Sequence, residues 1–397
     1  MKWVSVFKYL SIEYGENIAF AMDQTQRVSF ESNIDGDRVR IRFTNRYGRN
    51  DLKIHHATIG KEKSPYITRL EMITFNGKPD VVLAPGQELF SDEISYETWA
   101  GDRLVVSIYF KERQDIDSVC CFWADGGARV QWFLGDVTDG LDADRAPVAV
   151  TAPYIKDDPN FHMMRMFTGF DAVQVMASDE IRTVAAFGDS ITHMSFYTNA
   201  LQRRLYDGFF GRVSFINSGI GGNRLVDDAT YVPEAGKRLI FFGEAGVRRF
   251  ERDVFELDEV DAVLVLIGIN DIMHPVQLEG KSECTPAKEI IEGYRKITEC
   301  AHENGAEVFF GTITPCGNGD YPGEWLSKFE EVRNEVNRWI RKGDFIDGFF
   351  DFDREIADPE KPGFMLAPCH IGDGLHPNSQ GGRKMADCVD IRTVIGS

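Results

Sequence analysis

The chain has 397 residues, 43% of them hydrophobic, with 15 prolines and neither low-complexity tracts nor a fixed-period repeat, enough for two globular domains of ~100–200 residues each. Its 44 basic residues stand against 63 acidic ones, a net charge of −19; such a chain repels polyphosphates, and nucleic acid is excluded as an expected partner. Seven cysteines without a CxxC pair, and no His/Cys cluster at ligand spacing, read as reduced thiols with no metal and no cofactor implied.

The first residues, MKWVSVFKYLSIEYGENIAF, are interrupted by Lys8, Glu13 and Glu16 and do not read as a secretory signal. No run approaches the ~20 apolar residues that span a bilayer, so the expectation is a cytoplasmic protein with no membrane partner. Residues 1–178 read as an all-β domain of the sandwich or jelly-roll type. Val39, Ile41 and Phe43 alternate with Arg38, Arg40 and Arg42, and Leu104, Val106, Ile108 and Phe110 repeat that period of two. Turn signals such as NIDGD, NRYGRN and WADGG separate the runs. Trp99, Trp123 and Trp132 are candidates for stacking on sugars, with core packing as the plainer alternative.

From residue 179 the rhythm changes to alternating strands and helices. IRTVAAF, RVSFIN, DAVLVLIG and EVFFGTITP read as strands, with a further one near DGFFDF. Tyr197, Leu201 and Leu205 share a helical face. A helix capped by Thr285, with Pro286 in its first turn, ends at Gly305. Another covers about 324–342, with Leu326, Phe329, Val332, Val336 and Ile340 inward, and a last one follows Pro377. This order implies residues 179–397 form a three-layer α/β domain with a parallel sheet, whose ligands bind at the carboxyl ends of the strands.

Four chemistry-bearing stretches fall at those strand ends. GDS (188–190) opens a helix and exposes Ser190 either as a nucleophile or as a simple helix cap. NSGIGGN (217–223) can bring a backbone N–H, that of Gly222 above all, to a developing oxyanion, or be a mere glycine turn. In GIND (268–271), Asn270 can donate its amide to the same oxyanion, while Asp271 reads as a helix cap. GDGLHPN (372–378) sets Asp373 three residues before His376, so one turn can hold the carboxylate against the imidazole. His193 and His370 are the competing histidines. A helix beginning at Ser190 lays His193 along the serine's own face, and His274 lies at a strand end just after GIND, so both are expected to flank the pocket.

Together, GDS, N-x-G-x-x-G, G-x-N-D and D-x-x-H-P resemble the four blocks of the SGNH (GDSL-type) hydrolases over residues 180–397. The stretch RRFERDVFELDEVDAVLVLIGINDI is also similar to a two-domain bacterial subgroup with an N-terminal β domain. The resemblance implies a flavodoxin-like α/β/α domain without a cofactor. It makes Ser190 the nucleophile, His376 the base, Asp373 its orienting acid, and the Ser190 and Gly222 N–H groups with Asn270 the oxyanion hole. The expected substrate is a small-molecule or oligosaccharide ester, most simply an acetylated sugar. A general short-chain esterase or lipase-like enzyme, an acyltransferase, and a catalytically silent carbohydrate-binding protein are the alternatives. Relatives in that subgroup are often secreted, unlike the expectation for this chain. The β domain is expected to be a scaffold or a substrate-shaping module. Nothing in the sequence sets an oligomeric state.

Overall fold

The computed structural model describes residues 1–63, 66–140, 146–149 and 164–396. The chain divides into two compact units, Met1–Ile181 with Phe209–Ile216, and Arg182–Gly208 with Asn217–Ser397.

The first unit is built of antiparallel strands. One sheet orders Lys2–Lys8, Phe170–Ala177, Gly36–Thr44 and Glu88–Phe90, with Ile94–Thr98 also paired to Gly36–Thr44. The other orders Arg129–Leu134, Gln24–Glu31, Arg103–Phe110, His56–Lys63 and Tyr66–Met72. Val39, Ile41 and Phe43 of the first sheet and Leu104, Val106 and Ile108 of the second enter one apolar cluster, so the two sheets share a core filled by their inward-facing residues. Arg42 departs from the expected alternation. It is 7% exposed and forks onto Asp171 of the neighbouring strand, at 2.9 and 2.6 Å; a buried charge persists there because its fork is matched by a carboxylate. Trp132 is a core residue at 5% exposure, whereas Trp99 is 55% exposed.

Beyond Ile181 the chain forms a five-stranded parallel sheet: β1 (Arg182–Gly188), β2 (Val213–Gly219), β3 (Ala262–Leu266), β4 (Glu307–Gly311) and β5 (Gly348–Phe350), in the spatial order 2-1-3-4-5. The helices are α1 (Ser190–His193), α2 (Phe196–Gly208), α3 (Gly246–Phe255), α4 (Ile269–Gln277), α5 (Ala287–Glu303), α6 (Gly323–Lys342), α7 (Phe352–Ile356), α8 (Ser379–Cys388) and α9 (Ile391–Ile395). Two groups of mutually packed helices result, α1, α2, α7, α8 and α9 in one and α3, α4, α5 and α6 in the other. They cover a sheet whose β3, AVLVL, is buried throughout. Because β2 and β3 lie on opposite sides of β1, the chain reverses direction across the sheet between β1 and β3, and the crevice at their carboxyl ends is the topological switch point.

Local departures have polar causes. α5 starts at Ala287 with Pro286 at its cap position and no side-chain cap; Thr285 instead donates its backbone N–H to the Asp271 carbonyl at 3.2 Å. On α6, Phe329, Val336 and Ile340 face inward as expected, joined by Arg333 and Asn337. Both polar side chains serve Ile313, just past β4: Arg333 Nη1 and Asn337 Nδ2 donate to its carbonyl at 3.1 and 2.8 Å, and Asn337 Oδ1 accepts its N–H at 2.8 Å.

α8, which follows His376, rests on α2, which follows Ser190, and Gly382 permits the approach: a Cβ there would lie 2.5 Å from the backbone C and O of Phe196. In an open helix Gly→Ala stabilises by about 1 kcal/mol. Gly382→Ala is expected instead to destabilise by about 1–3 kcal/mol through overpacking, read as a lower urea midpoint. An unchanged or raised midpoint would show that the helices can separate freely.

Candidate active site

β1 ends at Gly188, where a Cβ would overlap the Thr192 side chain and the Leu266 carbonyl of β3. Asp189 then caps α1, its Oδ1 accepting the Ile191 N–H at 3.0 Å. This turn presents Ser190, whose Oγ lies 2.9 Å from His376 Nε2. His376 Nδ1 lies 2.6 Å from Asp373 Oδ2, and Asp373 Oδ1 accepts the N–H groups of Leu375 and His376 at 3.0 Å each. With Nδ1–H facing the carboxylate, Nε2 is the acceptor for the serine hydroxyl proton. Burial works against the Asp373 charge, but the hydrogen bond and charge of His376 and the two backbone donors outweigh it and hold this carboxyl at about 2. His370 fixes the same turn, its Nδ1 accepting from the Gly372 and Gly374 N–H groups at 3.0 and 3.1 Å. Asn318 Nδ2 adds a bond to the Asp373 carbonyl at 3.0 Å.

The loop after β2 supplies donors. Among the described residues, the backbone N–H groups of Ser190 and Gly222 have no acceptor. Gly222 has φ +71°, and a Cβ at this position would run into the Phe242 ring, so glycine is required twice over. Asn270 Nδ2 donates to the Asn223 carbonyl at 3.0 Å, which sets one of its two amide hydrogens on the loop.

Several residues that hold this loop lie outside the expected set. Asn217 Nδ2 donates to the Thr192 carbonyl of α1 at 2.9 Å. Asn223 Nδ2 bonds the Phe242 and Glu244 carbonyls, both at 2.7 Å. Arg249 of α3, fully buried, donates to Gly188 O at 2.8 Å, Ser218 O at 3.0 Å, Asn223 Oδ1 at 2.9 Å and Asp253 Oδ2 at 3.0 Å. The only signal for it in the sequence is an arginine in the inward register of an otherwise amphipathic helix. Asp271, expected as a helix cap, does other work: α4 is preceded by Gly268, and the Asp271 carboxylate accepts the N–H groups of Leu225 and Val226 at 2.7 and 3.0 Å. The loop chain turns away from the sheet there and its amides need acceptors.

The remaining histidines have other partners. His193 is 3% exposed, and its Nδ1 accepts the Gly221 N–H at 3.0 Å. His274 is 7% exposed, lies 2.8 Å from Thr230 Oγ1 through Nδ1 and stacks on Phe242; burial pushes it down to about 3, so it is neutral near pH 7. Among the described residues, no group of three or more His, Cys, Asp and Glu side chains is placed to hold a metal ion, and no helix is long and apolar enough to cross a membrane.

The family model described as GDSL-like lipase/acylhydrolase matches residues 186–384, half of the chain. Among solved structures, an acetyl xylan esterase is 21% identical, with 52% of this chain and 96% of that one covered at a TM-score of 0.38. A carbohydrate acetylesterase from Sinorhizobium meliloti is 18% identical over 52% of this chain and 94% of that one, TM-score 0.37. A GDSL-like lipase from Bacteroides thetaiotaomicron is 16% identical over 54% and 88%, TM-score 0.36. No curated protein sequence matches the chain.

Asp189 offers a pH test. Burial, reinforced by the nearby Asp271 charge, outweighs the Ile191 N–H bond and the Arg249 charge and pushes its carboxyl up to about 7. A carboxyl raised in the folded state binds a proton there that the unfolded chain releases near its ordinary ~4. Its stabilisation is therefore full below pH ~4 and lost as pH rises to about 7. Equilibrium unfolding of Asp189→Asn, which keeps the cap, should show the variant gaining on the wild type across that window. A difference constant with pH would contradict the raised carboxyl.

Proposed function

The chain belongs to the GDSL-like lipase/acylhydrolase family, and on that premise we propose that it is a serine ester hydrolase working through Ser190, His376 and Asp373. The observation that carries the reading is the continuous hydrogen-bonded path from Ser190 Oγ to His376 Nε2, at 2.9 Å, and from His376 Nδ1 to Asp373 Oδ2, at 2.6 Å. In the proposed mechanism, Ser190 Oγ bonds to the ester carbonyl carbon as its proton passes to His376 Nε2. The oxyanion that forms is met by the free N–H groups of Ser190 and Gly222 and the second amide hydrogen of Asn270. Collapse breaks the bond to the alcohol, which leaves with the proton from His376. Water, deprotonated by His376, then attacks the acyl-enzyme and releases the acid and the serine. Asp373, ionised down to about 2, keeps the imidazole in the Nδ1–H form and stabilises the imidazolium throughout.

The acyl group in this reading is small, such as acetyl, carried on a carbohydrate or similar molecule. The sequence supports this by lacking a long apolar stretch of the kind that roofs a lipid groove.

Ser190→Ala should hydrolyse an activated acetate ester at least ~10³-fold more slowly than the wild type; equal rates would sink the serine mechanism. Asn270→Ala should cost ~10²–10³ in kcat, and a loss below about fivefold would remove Asn270 from the oxyanion hole. For the acyl group, acetyl esters should be cleaved faster than octanoyl esters and acetylated xylo-oligosaccharides should release acetate; a preference for octanoyl would assign the enzyme to longer acyl chains.

A further inference from the structure

His193 closes α1 three residues after Ser190 and is 3% exposed. What it touches is the loop after β2. The Gly221 N–H donates to its Nδ1 at 3.0 Å, and a Cβ on Gly219 would lie only 2.8 Å from the His193 Cα, so loop and helix are in direct contact. The Gly221–Gly222 peptide carries the N–H aimed at the oxyanion, and neither residue has a Cβ to restrict rotation of that peptide plane. Such a plane is fixed only if the chain is tied on both sides. On the far side, Asn223 is tied by its N–H to Ile220 O at 3.2 Å, by its carbonyl to Asn270, and by its side chain to Arg249. On the near side, the Gly221 N–H donates to His193 Nδ1.

We infer that His193 is a positioning residue of the oxyanion hole: its unprotonated Nδ1 holds the Gly221 amide and thereby orients the N–H of Gly222. This rests on the reading of Gly222 as an oxyanion donor. The role needs an acceptor at the Nδ1 position, which requires a neutral imidazole protonated on Nε2. It does not need an imidazole as such, because the Oδ1 of an asparagine reaches nearly the same point from the same backbone.

The test compares His193→Ala and His193→Asn with the wild type on an activated acetate ester, with Ser190→Ala run in parallel. Misaiming a preorganised donor rather than deleting it is expected to lower the kcat of His193→Ala by ~10–100-fold with KM within about twofold. His193→Asn should recover kcat to within about threefold of the wild type. Because His193 is buried, amide hydrogen exchange at Gly221 supplies a second readout, slow in the wild type and His193→Asn and fast in His193→Ala. A His193→Ala enzyme with wild-type kcat, or a His193→Asn enzyme as slow as the alanine variant with its Gly221 amide still protected, would overturn the inference. Wild-type activity in Ser190→Ala would overturn the serine reading and this inference with it, and is told apart by that variant alone.

Discussion

Arg249 brings a full positive charge into the dry centre of the catalytic unit, beneath the ends of two neighbouring strands. Its guanidinium bonds the carbonyls of Gly188, the last residue of β1, and Ser218, the last but one of β2, together with the Asn223 side chain and Asp253, and its Cζ lies 4.2 Å from the centre of the Phe187 ring. At these points the backbone leaves the ladder to become the GDS turn and the NSGIGGN loop; Gly188 O still accepts the Ile220 N–H at 3.1 Å, and the guanidinium gives both carbonyls a further donor. A planar donor fork with several N–H groups satisfies them at once, and the carboxylate and ring face offset the cost of desolvating the cation. One buried side chain thereby sets the distance between the serine turn and the loop that faces it.

The rest of the site is held in the same way, by polar groups reaching across loops rather than by apolar packing alone. Asp271 gathers the amides of Leu225 and Val226, Asn270 bonds the Asn223 carbonyl, and Asn217 ties the loop back to α1. His376 arrives from far along the chain, in a turn braced by His370 and Asn318 and followed at once by α8, which lies on α2 at Gly382. The helix behind the serine and the helix behind the histidine are therefore in contact, and the 2.9 Å separation of Ser190 Oγ and His376 Nε2 is held from both ends. On the proposed mechanism such a framework is preorganised: the groups assigned as oxyanion donors and base are in place before a substrate arrives, so little reorganisation is left for the reacting state.

Much of this was legible in the amino-acid order. Period-two runs such as Val39–Phe43 marked the β unit, and the change to strand–helix alternation marked the parallel sheet, because burial on one face or two writes itself directly into residue type. The four short blocks pointed to the residues that now lie at the carboxyl ends of β1 and β3 and in the turn bearing Asp373 and His376. What the sequence could not convey is which distant group a polar side chain meets. Arg42 looked like one of three solvent-facing arginines, yet is matched by Asp171. Asp271 sits where a cap belongs, yet serves two amides of another loop. Thr285 has the right chemistry for a cap, but its backbone is engaged with Asp271 and α5 starts later. Arg249 belongs to a helix whose pattern predicts burial of that face without explaining a charge on it. In each case the deciding partner is many residues away, and local propensity is silent about it. His193, three positions from Ser190, was set aside as the base in favour of His376, but its bond to a glycine of the next loop could not be read from the sequence.

The central claim is that Ser190 Oγ carries the acyl group during turnover. The direct measurement is mass spectrometry of the protein quenched in acid while it hydrolyses an activated acetate ester, followed by peptide mapping. The account predicts one acetyl group per chain, on the peptide containing Ser190, which disappears when the substrate is exhausted. Hydrolysis without that adduct even under rapid quenching, or an acetyl group on another residue that turns over at the catalytic rate, would contradict it.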